Sequence, residues 1–267
     1  MHVQSLYVYP VKSLPGIAVE QLALDQFGPA GDRRWMITDD YGNFISQRSL
    51  PKLAKVRVRI EESVVFIGVP GYGEFPLEPG RDTRNVMVWD DWLGAISAKN
   101  GPAQALSQFC SKPLDIVYMP NDSFRAIDRV WVKDRRRVGF ADGFPFLIVN
   151  QSSLDELNER LEIKIDMRRF RPNIVVSGAA PWAEDQWAAM TIGAARFDLV
   201  KPCSRCVMTT VDPVTGSKAA DQQPLRTLGS YRMQIGGVIF GMNAIHEGSG
   251  PVTLGDAVRL DEMGKNQ

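Results

Sequence analysis

Short β-forming runs, each closed off by turn residues, constrain this chain more than any other feature. Val3–Tyr9, Arg34–Thr38, Val56–Ile60, Val64–Gly68 and Val86–Val88 read as strands, and Asp39-Asp40-Tyr41-Gly42-Asn43 has hairpin chemistry. Pro102–Cys110 reads as a helix, with Pro in the first turn and Ala103, Leu106, Phe109 and Cys110 on one face. Leu114–Tyr118 returns to strand. The stretch Met119–Arg137 is polar and ends in Lys133-Asp134-Arg135-Arg136-Arg137, which places a domain boundary near residue 120, with units 1–119 and 120–267. In the second unit Phe146–Val149, Asn173–Ser177, Ala195–Val200, Val207–Val211 and Val238–Phe240 read as strands, and Val252–Leu260 carries the Gly255-Asp256 turn before a final strand. Ser153 and Glu156 have capping-box spacing ahead of a helix carrying Leu154, Leu157 and Leu161, and Trp182–Met190 reads as a short helix. The pattern predicts a mainly β fold with a few helices (α+β), as barrel or sandwich, in two units.

Composition narrows the function. A chain of 267 residues buries roughly three quarters of its extended surface and needs no disulfide or metal to fold. Lys+Arg and Asp+Glu both number 31, and this zero net charge argues against nucleic acid or an anionic membrane as partner. Apolar pieces such as Val64–Val69 and Phe144–Val149 are far too short to span a bilayer, and Pro10 and Lys12 interrupt the one apolar stretch at the start. A cytoplasmic location is the expectation. The three Cys and two His fall short of the ligand set for a ferredoxin cluster or a zinc ribbon, so no iron–sulfur cluster is expected in this chain.

Cys203 and Cys206 stand in Lys201-Pro202-Cys203-Ser204-Arg205-Cys206. The β-forming Val207–Val211 that follows speaks against a thioredoxin-type pair, which needs a helix there. Two half-buried structural cysteines are one reading. One soft metal ligand on a turn rimmed by Lys201 and Arg205, with the remaining ligands from a cofactor, is the other. An anionic cofactor needs basic anchors, and Lys12-Ser13, Arg33, Arg34, Arg48 and Arg171 sit where strands end. Lys133–Arg137 and Arg168-Arg169 read as solvated faces, Cys110 as core, His2 as part of a mobile terminus and His246 as a loop residue.

Lys201–Gly216 (K-P-C-S-R-C-V-M-T-T-V-D-P-V-T-G) resembles the signature of MOSC domains. Phe140–Asn150, Ser153–Leu161, Arg169–Ile174 and Phe240-Gly-Met-Asn look like further MOSC positions, and Tyr9–Ser13, Gly31–Trp35 and Ser46-Gln47-Arg48 look like the β-barrel domain that precedes MOSC. The chain resembles the mitochondrial amidoxime-reducing components and their bacterial relatives that reduce N-hydroxylated bases. The resemblance implies two β-barrel domains holding a molybdenum–molybdopterin cofactor, with Cys206 as catalytic metal ligand. It implies cofactor contacts from Lys12, Ser13, Arg33, Asp142, Gly143, Phe144, Arg171, Ser204, Arg205 and Asn243. Gly143-Phe144 and Asn243 depart from the small hydroxyl pair and the aromatic of mitochondrial relatives. The implied activity is reduction of a small N-hydroxylated substrate, with electrons from a separate electron-transfer protein or a flavin reductase. A molybdenum-cofactor or sulfur carrier using Cys206, and a thiol-containing binding protein without metal, are the alternatives.

Overall fold

The computed structural model describes residues 1–99 and 101–264. Its largest sheet, nine-stranded among the described residues, draws on both ends of the chain. Val258–Met263, Trp187–Ile192, Ala195–Ser204, Gly237–Glu247, Phe146–Asn150, Ile174–Ser177, His2–Val8 and Ile17–Val19 follow one another across it, and Met233–Gln234 folds back on Gly237–Glu247. Pairing is antiparallel except between Phe146–Asn150 and Ile174–Ser177. Backbone bonds Val3 N–Asp256 O (2.9 Å), Gly255 N–Val3 O (2.9 Å) and Val258 N–Met1 O (3.0 Å) join the first strand to the last and close the sheet into a barrel. The opening strands therefore belong to the sheet of the second half, which is continuous across the boundary expected near residue 120.

The barrel is filled by alternate residues of its strands, among them Leu6, Phe146, Ile148, Ile174, Val176, Met190 and Phe197. Phe146–Asn150 is buried along its whole length, because its outer face is covered by helix Gln151–Glu159 and Met167–Phe170. In the first half, Pro79–Val88, Asp91–Ala98, Asp115–Tyr118, Trp35–Thr38 and Val11–Lys12 form one sheet, and Gly73–Leu77, Val64–Val69 and Arg57–Glu61 another. Helix Pro102–Cys110 plugs their shared core through Ala105, Leu106 and Cys110. The Asp39–Asn43 turn forms as expected, and Gly42 takes φ +82 with Asn85 O so close that a Cβ would lie 2.4 Å from it.

Several local expectations are corrected. Trp182–Met190 is a single turn, Ala183–Gln186, followed by strand Trp187–Ile192, because Trp187, Ala189, Met190 and Ile192 are buried between two pairing partners. Val207–Thr210 is a short 3-10 turn and not a strand: the Thr209 and Thr210 hydroxyls donate to Cys206 O (3.0 Å) and Val207 O (2.7 Å) and coil the backbone. His2 lies in a strand, with Ser177 Oγ 2.9 Å from Nε2. His246 lies in Gly237–Glu247, its ring edge-on to Phe146 at 5.3 Å, and burial together with Arg136 lowers its pKa.

The capping box is corrected too. Asn150 caps helix Gln151–Glu159 by accepting from Ser152 N, while the Ser153 hydroxyl accepts from Trp182 N (2.8 Å) and donates to Glu184 (2.8 Å). Glu184 is fully buried and its Oε1 has no partner. Burial pushes its pKa up to about 7, against a smaller opposing pull from the Ser153 bond. The folded chain thus holds this proton more tightly than the unfolded chain, where the ordinary value is 4.5. That contribution to stability is complete below the ordinary value and is lost as pH rises through about 7. Glu184→Gln should gain on the parent between pH 5 and pH 8 by at most roughly 3 kcal/mol, read by urea unfolding at both values. An equal difference at the two pH values would contradict a buried, proton-holding carboxyl.

Candidate functional site

A cleft of about 390 Å³ opens where the barrel meets the first half. All eleven residues singled out by the family resemblance line it: Lys12, Ser13, Arg33, Asp142, Gly143, Phe144, Arg171, Ser204, Arg205, Cys206 and Asn243. Lys12 and Ser13 end the short strand Val11–Lys12, and Arg33 follows the Gly31-Asp32 turn. Arg171 ends the turn Met167–Phe170, and Asn243 lies within Gly237–Glu247. Ser204 ends the long strand Ala195–Ser204 and leads to the cysteine turn, whose backbone is pinned by Arg205 N–Val238 O (2.7 Å).

The two neighbouring cysteines are treated differently. Cys206 is exposed in the cleft with the Arg48 guanidinium 3.7 Å from its sulfur. Cys203 is half-buried and accepts from Arg205 Nη1 at 2.8 Å, while Arg205 Nη2 donates to Phe170 O (2.7 Å). Both cysteines line the cleft, and Cys206 is the more exposed of the two.

Seven cationic side chains line the cleft (Lys12, Arg33, Arg48, Arg169, Arg171, Lys201 and Arg205) against one carboxylate, Asp142. In a chain of zero net charge this is a concentrated positive field. Arg33 and Arg171 both sit 4.3 Å from the Tyr9 ring centroid, and Arg171 donates to Leu14 O (2.7 Å). Burial and then Arg33 pull the Arg171 pKa down to about 10, so it remains a cation at neutral pH. The Tyr9 phenol is raised, by burial first, and stays neutral. Lys12 is nearly buried and lowered by desolvation, an effect its 2.6 Å pair with Asp142 opposes. For Asp142, crowding by the protein works against ionisation. The Lys12 ammonium, Arg48 and the Trp89 indole N–H outweigh it and hold the carboxyl below the usual carboxylate range.

Beneath these groups lies Asp32, buried at 4% exposure. It accepts from Tyr9 N (2.8 Å), Asn173 Nδ2 (3.1 Å) and Arg33 Nη1 (2.5 Å), and burial raises its pKa. Asn173 Oδ1 in turn accepts from Arg33 (3.0 Å).

The MOSC N-terminal beta barrel domain matches residues 1–115 and the MOSC domain residues 135–259. Mitochondrial amidoxime-reducing component 1 of Homo sapiens is 31% identical over 280 residues, covering 97% of this chain and 82% of that protein. The chain belongs to the MOSC-domain family of the amidoxime-reducing components. Mitochondrial amidoxime reducing component 2 of Rattus norvegicus is 30% identical, covering 96% of this chain and 82% of that protein. Molybdenum cofactor sulfurase of Oryza sativa subsp. japonica is 28% identical over 91% of this chain, which spans 32% of that longer protein.

Other cations are redistributed. Arg34 points away from the cleft, stacks on Phe27 at 4.0 Å and donates to Met119 O (2.5 Å) and Asn121 (2.9 Å). Arg169 is no solvated face: it lines the cleft and pairs with Asp212 at 3.0 Å. Arg136 and Arg137 also bond back to the chain, at His246 O and Asn121 O. Phe44 and Trp89 also line the cleft, and an aromatic in or beside a turn carries no sequence signal of the wall it joins. Among the described residues no three His, Cys, Asp or Glu side chains converge on a metal-sized point, and no helix is long and apolar enough to cross a membrane.

Asp32→Asn removes the charge that holds Arg33 while keeping the shape. The variant should lose about 3 kcal/mol in urea unfolding, as expected for one member of a buried pair. A loss under about 1 kcal/mol would show that the network is not held by this carboxylate.

Proposed function

We propose that this chain is a molybdenum-cofactor-dependent reductase that removes oxygen from N-hydroxylated substrates such as amidoximes, hydroxylamines and N-hydroxylated nucleobases. Two electrons from a separate electron-transfer protein or flavin reductase, with two protons, convert N–OH to N–H and water. The observation that carries this reading is one exposed thiol, Cys206, in a cleft lined by seven cations.

The donor set fits the group. A molybdenum whose other ligands come from a cofactor would need one soft protein ligand, and Cys206 would be that sulfur. A phosphate-bearing pterin is an anion, and Arg33, Arg171, Arg205 and Lys201 supply charge and donors around the thiol. Ser13, Ser204 and Asn243 offer polar groups to the cleft, and Gly143 faces open space, with nothing within 4 Å of a Cβ there. When bound, the cofactor supplies two-electron oxygen-transfer chemistry that no side chain provides. The chain's share is to fix the ligand, neutralise the anion and shape the substrate's approach. Three unpaired cysteines suit a reducing compartment such as the cytoplasm.

Cys206→Ser should abolish turnover of an amidoxime with a supplied electron donor while the fold persists by circular dichroism, and Cys203→Ser should retain activity. Equal loss in both, or unchanged activity in Cys206→Ser, would contradict the assignment of Cys206. Arg171→Ala should lower pterin per chain by fluorescence; full occupancy would remove Arg171 from the anchors. The match to the rice sulfurase supports a second reading, a sulfur or cofactor carrier. A persulfide on Cys206 by intact mass, in a protein that reduces nothing, would favour it.

A further inference from the structure

Trp89 occupies the first central position of the two-residue turn between strands Pro79–Val88 and Asp91–Ala98, with φ +56. A left-handed conformation there favours glycine, and a bulky aromatic is an outlier. Core packing does not explain it, since Trp89 is 45% exposed. The indole instead reaches the other half of the molecule, where Nε1 donates to Asp142 Oδ1 at 3.2 Å. Strained residues kept in place by long-range contacts gather at functional sites.

The ring is one side of a wall. Phe44 lies 5.3 Å from it at 59°, and the Arg48 guanidinium sits 4.9 Å from Trp89 and 5.4 Å from Phe44. The same guanidinium approaches the Cys206 sulfur. A planar, delocalised group thus already rests on this aromatic surface beside the thiol. Amidines and amidoximes share the flat, conjugated N–C–N framework of a guanidinium. Asp142 supplies the matching acceptor: Lys12 and Trp89 both bond to Oδ1, and among the described residues no donor reaches Oδ2.

We propose that Trp89 and Phe44 form the substrate wall of the cleft, selecting planar, conjugated N-hydroxylated compounds, with Asp142 Oδ2 accepting from the substrate's amino group. Aryl amidoximes are the simplest members of this class. The assignment of a substrate rests on the proposed reductase function, while the wall itself is a binding site for flat amidine-like groups whether or not turnover follows. Trp89 is a specificity-determining residue: its ring stabilises the conjugated body of the ligand, and the chemistry proceeds at the thiol side.

The test uses redox-silent probes, so it reads binding apart from reductase activity. Benzamidine and acetamidine are titrated calorimetrically into the cofactor-loaded protein, into Trp89→Gly, whose new residue suits the turn's φ, and into Trp89→Phe. The parent should bind benzamidine about tenfold tighter than acetamidine. Trp89→Gly should lose that preference. Trp89→Phe, which keeps a ring but drops the bond to Asp142, should keep most of it. Asp142→Asn, compared with the parent at equal pterin occupancy by fluorescence, should weaken both amidines alike. No preference in the parent, or the same preference in Trp89→Gly, would overturn the proposal. A preference that depends on Trp89 in a protein that reduces no N-hydroxylated compound would leave the wall standing and remove the reductase function.

Discussion

The buried Asp32 carboxylate is the interaction on which the rest of the cleft depends. It ties the end of the first barrel strand, through Tyr9 N, to Asn173 beside the parallel pair and to Arg33 from the first half. A charge this far from water is tolerable only when paired and fully hydrogen-bonded, and here three donors meet it. Its consequence is positional. Arg33 is held over the Tyr9 ring, Arg171 meets the same ring, and two cations of like sign remain fixed 4.3 Å from one aromatic centroid. A cleft with repelling guanidiniums in place is ready for an anion before one arrives.

Backbone strain follows the same map. Nine non-glycine residues among those described have positive φ, and four of them, Ser13, Arg33, Trp89 and Arg171, line the cleft. Each carries its side chain inward from a turn or the end of an element, where a regular strand would alternate away. Most strands of the barrel are paired on both sides, and this bracing offsets the cost.

Much of this was legible in the sequence where periodicity and burial agree. Helix Pro102–Cys110 and most strands of the first half follow directly from alternation and turn residues. Reading failed where local propensity met tertiary demand: Trp187–Ile192 has neighbours on both sides that outweigh its helix-like spacing, and Thr209-Thr210 coil the chain through bonds to their own backbone. Strands Gly73–Leu77 and Asp91–Ala98 carry glycine, proline and polar residues that hide their pairing. Charge and turn position alone point to Lys12, Ser13, Arg33, Arg48, Arg171 and the cysteine turn, while Asp142, Gly143, Phe144 and Asn243 were legible only through the motif shared with a family. Spacing could not tell Arg171, which faces the cleft, from Arg34, which does not, because that difference lies in which side of a turn each leaves. Arg48 and Trp89 meet only in three dimensions.

The central claim is that the cationic cleft exists to hold a molybdenum cofactor through one thiolate. Metal and phosphorus analysis of the purified chain, expressed in a host that makes the cofactor, tests it most directly. The account predicts close to one molybdenum per chain, released when Cys206 is replaced by serine. A folded chain that carries neither molybdenum nor pterin, with Cys203 and Cys206 both open to thiol reagents, would contradict it.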